Sequence, residues 1–500
     1  MCLWLVGQVI RAFPLEITDD WMGWRQADTQ TIARNFFERG GNILYPRINW
    51  GGDGPGFVET EFQLYTWVTA RVMGVTGLSE RPGLFFSLLA MAGAGIVLHR
   101  LLAVRFGAGS ALFGLAVFLG MRGPVFLSST VQPDALSFLF YCLSIAALLA
   151  WIRRPAPGPL VLMAVSTSLA ALVKATALHI GIFQFLAVLL CAPRLLRRPG
   201  LWLAWAGILV TVGLFMSHAN GLYRTYGNTF GVIAGGDSKF ATLGTLLDPG
   251  NYRELVRLSV VWGFGALGAA AMLFLVAARR LDRIAVALGL ANLIYLLVAF
   301  RYTRSKWNGP HYHLFTTVLG VWVAAAAFRF LQDRVQGQRR AGAWVLVCCS
   351  ICVSLYCYQL NRRHDPSLVL WEKNPVVAMG KDLREFAAPG ALVVARSSAT
   401  ARDAQFGTEN NFEDPRVFYL AGVRGWVLPA DEAALDVIRH ASARGAGFYV
   451  DPYRKHDDAE LNGWLEENAD VVVDRGELGR IYRLRPSPAG NPAPPSESGG

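Results

Sequence analysis

The residues able to do chemistry fall at a few places in this 500-residue chain. In WRQADTQTIARNF, Asp28 follows a tryptophan and Arg25 and leads into a run patterned as an amphipathic helix. Further on, GGDGPGFVETEFQLYTW carries Glu59 and Glu61, which face one side where the stretch is extended. Carboxylates gathered in one polar loop suit general acid–base work or the holding of a hard cation. Asp134 opens an apolar run in VQPDALSFLFY, and Lys174 closes another in AALVKATALH. Ionisable groups near a membrane interior are functional candidates by default. In RYTRSKWNGPHYH, Arg301, Arg304 and Lys306 cluster without an acid, just before His311, Tyr312 and His313. That cluster suits an anionic ligand such as phosphate or pyrophosphate, with anionic lipid headgroups as the plainer occupant. Plain readings exist for the others: Asp28 as a helix N-cap, Asp134 as a helix start, Lys174 as a snorkelling cation.

The elements that must position these residues are mostly membrane spans. The chain is 53% hydrophobic and only 17% charged, where soluble domains carry about 25% charged residues. Disorder is excluded by the same composition. Apolar runs of spanning length are expected at 82–104, 108–121, 133–152, 159–173, 177–193, 201–218, 258–278, 283–300, 313–331 and 341–360. The opening MCLWLVGQVIRAF is a poor signal peptide and counts as the end of one more span, for eleven in all.

The net charge of +11 is explained by orientation before nucleic acid. Five short connectors are basic. They hold Arg100 and Arg105; Arg153 and Arg154; Arg194, Arg197 and Arg198; Arg279, Arg280 and Arg283; and Arg329, Arg334, Arg339 and Arg340. Asp282 and Asp333 are their acids. They alternate with the other connectors, as cytoplasmic loops do under the positive-inside rule. Loops 14–81, 122–132, 174–176, 219–257 and 301–312 then face outward, as does everything after 360. The short basic loop 301–306 breaks the rule, which is why an anionic ligand is read there.

Cys2, Cys142, Cys191, Cys348, Cys349, Cys352 and Cys357 all lie in apolar runs, so neither a disulfide framework nor a metal site is expected of them. Residues 361–485 alternate strand-like and helix-like stretches, which predicts a small α/β domain. Strands are expected at 391–398, 416–422, 445–452, 469–474 and 480–484, and helices in PVVAMGKDLREFAA and DEAALDVIRHASARG. The tail 486–500 is Pro/Gly/Ser-rich and is expected to be disordered. The domain organisation expected is therefore 1–360, a transmembrane part whose 14–81 loop carries interfacial helices over 28–39 and 61–76; 361–485, an extracytoplasmic α/β domain; and the tail.

Together these motifs resemble the GT-C glycosyltransferases, in particular the protein O-mannosyltransferase and lipid A aminoarabinose transferase group. The residues that carry the resemblance are WRQADTQTIARNF, then NILYPRI and GFVETEFQLYTW, then QPDALS, LVKAT and GPHYHLF, in that order over roughly residues 15–330. The fold implied is a polytopic α-helical membrane protein with a GT-C-like core and a small C-terminal α/β domain. The activity implied is transfer of a hexose or pentose from a polyprenyl-phosphate donor to an envelope glycan, lipid or protein at the outer face of the plasma (inner) membrane, with inversion.

In that resemblance Asp28 is the general base for an acceptor hydroxyl, or positions it, and Glu59 shares the catalytic loop. Lys174, Arg301, Arg304 and Lys306 offset charge on the leaving phosphate, and His311, Tyr312 and His313 donate hydrogen bonds to it. Glu61, Asp134 and Arg25 support the acceptor side. No cofactor beyond the lipid-linked donor is implied. Asp28, Glu59, Glu61 and Asp134 are hard oxygen ligands, but a metal is not favoured, because the relatives closest by pattern need none.

The expected partners are the lipid-linked donor, the acceptor and membrane lipids, not nucleic acid. Thr60 follows Glu59 where the aminoarabinose transferases carry a lysine, and Thr29 follows Asp28 where the O-mannosyltransferases carry a second acid. The acceptor therefore stays open. A flippase for a lipid-linked sugar, an O-antigen ligase type of enzyme and a non-catalytic assembly protein are the alternative readings.

Overall fold

The structure is a computed structural model and describes residues 2–12, 22–232, 240–299, 303–304, 309–334, 374–402, 409–452 and 459–486. The chain forms two compact units, each built from separate stretches. One comprises Met1–Glu16, Glu61–Ala219 and Ser238–Pro366; the other comprises Ile17–Thr60, Asn220–Asp237 and Ser367–Gly500.

In chain order the first helices are α1 (Cys2–Ala12), α2 (Gly23–Arg39), α3 (Leu64–Thr76), α4 (Arg81–Phe106), α5 (Ala108–Gly120), α6 (Arg122–Leu127) and α7 (Asp134–Arg153). Next come α8 (Pro157–Val173), α9 (Ile180–Cys191) and α10 (Pro199–Tyr226). They are followed by α11 (Leu243–Leu247), α12 (Pro249–Leu258), α13 (Gly265–Ala277), α14 (Arg283–Val298), α15 (Gly309–Tyr312) and α16 (Thr317–Arg334).

Among the described residues, five helical stretches are long and apolar enough to cross a membrane: Arg81–Phe106, Asp134–Arg153, Pro199–Tyr226, Pro249–Ala277 and Leu314–Arg334. The runs over α5, α8, α9 and α14 form shorter apolar helices. The expected span 341–360 lies outside the described residues, as do four of the cysteines and the tail beyond 486.

Local chemistry explains the helix ends. Pro82 and Pro157 sit in the first turns of α4 and α8, where the missing N–H has no helical partner to lose. Asp282 caps α14 by accepting the Ala285 N–H at 2.8 Å. α4 stops at Gly107, whose φ of 87° is left-handed. Small residues allow a close helix crossing. A Cβ added to Gly268 of α13 would meet the Gly320 Cα of α16 at 2.8 Å, and one added to Gly320 would meet Phe264 O at 2.5 Å, so both positions need glycine.

The second unit is an α/β layer structure. Its strands are β1 (Leu392–Arg396), β2 (Arg424–Leu428), β3 (Phe448–Asp451), β4 (Ala469–Asp474) and β5 (Arg480–Leu484), ordered β2-β1-β3-β5-β4. β2, β1 and β3 run parallel, while β5 pairs antiparallel with β3 and β4. Its helices are α17 (Pro375–Phe386), α18 (Arg416–Ala421), α19 (Leu435–Ala443) and α20 (Ala459–Asn468).

One sheet face buries Val393, Ala395 and Val450 against α17 and α18, together with Ile32 of α2, Ile48, Trp50 and Val58. The other buries Val394 and Tyr449 against α19 and α20. The long early loop is therefore part of this unit's core. It is also stitched to β2, since Gly52 N–H donates to Gly425 O at 2.7 Å and Gly425 N–H to Asn49 O at 2.9 Å.

The strand expected over 416–422 is a helix. Asp414 accepts the Arg416 N–H at 3.0 Å, Val417, Phe418 and Ala421 line one helical face, and Gly422 closes it with φ of 69°. Alternation of apolar type over so few residues did not separate the two periods. β2 and α20 were not anticipated; both lack a clean apolar pattern.

Candidate functional site

Two groups of polar residues occupy the places that the sequence singles out, one in each unit. In the second unit, α2 begins at Gly23, so Asp28 lies inside the helix rather than capping it. Its side chain is 3% exposed, and its Oδ1 accepts the Trp50 indole N–H at 3.0 Å. Burial pushes the Asp28 carboxyl well above the usual carboxylate range. The Trp50 bond and the Arg25 charge oppose that rise, while Asp414 and Glu413 add to it.

Asp414 is held by Arg416 in a two-pronged pair, Nε to Oδ1 at 3.0 Å and Nη2 to Oδ2 at 2.6 Å. Glu413 is itself pushed up to about 7 by burial. Arg25 lies with its guanidinium 5.5 Å from the centre of the Phe230 ring, and Phe230 meets Trp50 edge-on at 5.8 Å.

Glu59 belongs to the same unit and is fully buried. It sits in a short parallel bridge with Thr229. Its N–H donates to Asn228 O at 3.0 Å, its carbonyl accepts the Phe230 N–H at 2.9 Å, and its carboxylate accepts the Thr229 hydroxyl. The Val232 N–H points to the same carboxylate oxygen at 3.3 Å. A chain of contacts thus runs from Asp28 through Trp50 and Phe230 to Glu59.

In the first unit, Lys174 ends α8 with an extended backbone and is only 5% exposed. Its Nζ stands 3.5 Å from Asp134 Oδ1 and 3.9 Å from Glu61 Oε1, and 5.4 Å from the centre of the Tyr312 ring. The Phe62 N–H donates to Leu172 O at 2.8 Å, which fixes the Glu61 segment beside the end of α8. Asp134 starts α7, and its Oδ2 is buried without a hydrogen-bond partner among the described residues. Glu61, Asp134, Lys174 and Tyr312 therefore converge.

His311 is buried with its ring against Tyr312, centroids 4.3 Å apart. His313 is fully buried, with Nε2 2.6 Å from Thr303 O and Nδ1 3.3 Å from Ser259 Oγ. Both its ring nitrogens are thus engaged by the protein. Arg304 donates to Asn251 of α12. Arg301 and Lys306 lie outside the described residues.

Trp50, Thr229, Glu413 and Asp414 were missed from sequence. An indole in the polar stretch RINWGG was the signal available for Trp50; nothing local points to the others.

Residues 63–217 match the family model described as dolichyl-phosphate-mannose-protein mannosyltransferase. No curated protein sequence matches the chain. The fold is similar to that of ArnT from Cupriavidus metallidurans in the apo state, with TM-score 0.60 and 15% identity over 96% of this chain and 97% of that one. The same protein bound to undecaprenyl phosphate matches with TM-score 0.62 and 14% identity over 96% and 97%. The Archaeoglobus fulgidus oligosaccharyltransferase in complex with Zn and sulfate matches with TM-score 0.54 and 14% identity, over 90% of this chain and 68% of that one. The resemblance to the GT-C glycosyltransferases thus holds as a fold shared along nearly the whole chain and as a family pattern over residues 63–217.

Proposed function

We propose that the protein moves a sugar from a polyprenyl-phosphate donor to an envelope acceptor at the outer face of the plasma membrane. The observation that carries the reading is Asp28, a carboxyl buried in an interfacial-loop helix and held by an indole N–H. The acceptor oxygen attacks the anomeric carbon as its proton passes to Asp28. The bond from that carbon to the phosphate oxygen breaks, polyprenyl phosphate leaves, and the anomeric configuration inverts. A carboxyl whose affinity for protons is raised is the stronger base in this step.

Lys174 supplies positive charge near the membrane surface, where Asp134 and Glu61 hold it in place. Arg301, Arg304 and Lys306 add charge for the leaving phosphate, with hydrogen bonds from His311 and Tyr312. His313, engaged at both nitrogens, is better suited to bracing the start of α16. Glu59 braces the Asp28 region through Phe230, and Arg25 steadies its charge.

The reaction as read needs no metal. The alternation of basic connectors supports eleven spans with the α/β domain outside the cytoplasm. The ArnT fold is also found with undecaprenyl phosphate bound, which supports a lipid-linked donor.

The test is lipid mass spectrometry of cells lacking the protein. One polyprenyl-phosphate sugar should accumulate, and an envelope component should lose the matching sugar mass. An unchanged glycolipid pool with an unchanged envelope would remove the transferase reading.

A further inference from the structure

The α/β unit carries a second constellation that the transfer reaction does not use. β1 and β3 are parallel neighbours, yet the chain leaves them for opposite faces. After β1 it passes to α18, which packs with Val393 and Ala395. After β3 it passes to α20, which packs with Val394 and Tyr449. That divergence makes a topological switch point, and the crevice at the carboxyl ends of such strands is where doubly wound sheets bind ligands.

Arg396 is the last residue of β1 and is only 5% exposed. Its Nε donates to the Tyr449 hydroxyl at 3.1 Å, while its Nη2 is shut off from water and has no partner among the described residues. Arg396 forms no ion pair among the described residues, while the Asp451 carboxylate at the end of β3 acts on Tyr449 against the Arg396 charge. A buried guanidinium without an ion-pair partner is costly to keep, so an anion is its natural complement. Burial raises the Tyr449 phenol, which stays protonated, so its O–H is available to donate while its oxygen accepts from Arg396. Tyr482 stacks on Tyr449 with centroids 5.8 Å apart and holds the ring in place.

We propose that the crevice at the ends of β1 and β3 binds a phosphate or carboxylate group through Arg396 and Tyr449. The anion takes a two-pronged bond from the guanidinium and one from the phenol. It is carried either by a free solute or by a lipid headgroup. The assignment does not depend on the transferase reading.

The test is thermal unfolding of the full chain in nanodiscs, wild type against Arg396→Gln, Tyr449→Phe and Lys174→Gln. With phosphatidylcholine discs, inorganic phosphate should raise the wild-type midpoint saturably if a free anion is the ligand. If a lipid is the ligand, phosphatidylglycerol discs should raise it instead, and phosphate should add nothing.

In either arm Arg396→Gln should abolish the shift. Tyr449→Phe, which keeps the stacked ring, should weaken apparent affinity roughly five-fold. Lys174→Gln should leave the shift intact, which separates this site from the proposed donor site. No saturable shift from either source, an undiminished shift in Arg396→Gln, or loss of the shift in Lys174→Gln would overturn the proposal. Should Arg396→Gln fail to fold, Tyr449→Phe decides: unchanged affinity overturns it and the five-fold loss supports it.

Discussion

Replacing Asp28 with asparagine separates catalysis from folding because of where the side chain sits. The Trp50 indole donates to Oδ1 at 3.0 Å, and an asparagine carbonyl oxygen can accept the same bond. The substitution removes a charge that burial already disfavours and that Asp414 and Glu413 repel. Folding should therefore lose nothing, and the unfolding midpoint should stay level or rise at neutral pH.

Catalysis should behave differently. An amide cannot take the acceptor proton, and a positioned general base contributes about 10²–10⁴ in rate. At about 1.36 kcal/mol per factor of ten, that is roughly 3–5 kcal/mol of barrier. The assay uses protein in nanodiscs loaded with glycolipid extracted from cells lacking the protein, with an envelope fraction as acceptor. Donor loss is followed by mass spectrometry beside the unfolding midpoint. Wild-type turnover by a folded Asp28→Asn protein would refute the assignment of the base. A collapse of the midpoint would refute the account of its burial.

Other expectations follow from the same geometry. Trp50→Phe removes the bond that favours the Asp28 carboxylate, so the acidic limb of the rate profile should move to higher pH. Glu413 is raised from 4.5 to about 7, so the folded state holds a proton that the unfolded chain releases earlier. Stability should then fall as pH rises between those values, and Glu413→Gln should flatten that slope in melting curves. Lys174→Met leaves Asp134 and Glu61 buried without their cation and should cost about 3 kcal/mol in denaturant unfolding, with partial recovery when Asp134→Asn is added. Gly268→Val forces side-chain atoms against Gly320 and should lower the unfolding midpoint by the equivalent of about 1–3 kcal/mol.

What the sequence determined by itself was whatever short-range pattern encodes. Long apolar runs located the helices between 81 and 334, because a spanning helix must be apolar along its own length. Their ends are set by prolines, glycines and Asp282, since caps act within one turn, but the expected bounds came from the apolar runs alone. Asp28, Glu59, Glu61, Asp134 and Lys174 stood out as ionisable residues in unusual surroundings, and each proves to be buried.

Tertiary structure decided how they are grouped and what their surroundings do to them. Glu59 and Glu61, two residues apart, belong to different units, one bonded to Thr229 and the other beside Lys174. Asp28 owes its altered acidity first to burial, a rise that Trp50, 22 residues away, opposes and that Asp414 and Glu413, from the C-terminal α/β segment, add to. The helix at 416–421 and the early loop's place on the sheet were equally out of reach. Apolar periodicity reports only the neighbours along a helix or strand. Desolvation and the partners of a charge depend on segments that meet only after the chain has closed, and no local pattern records them.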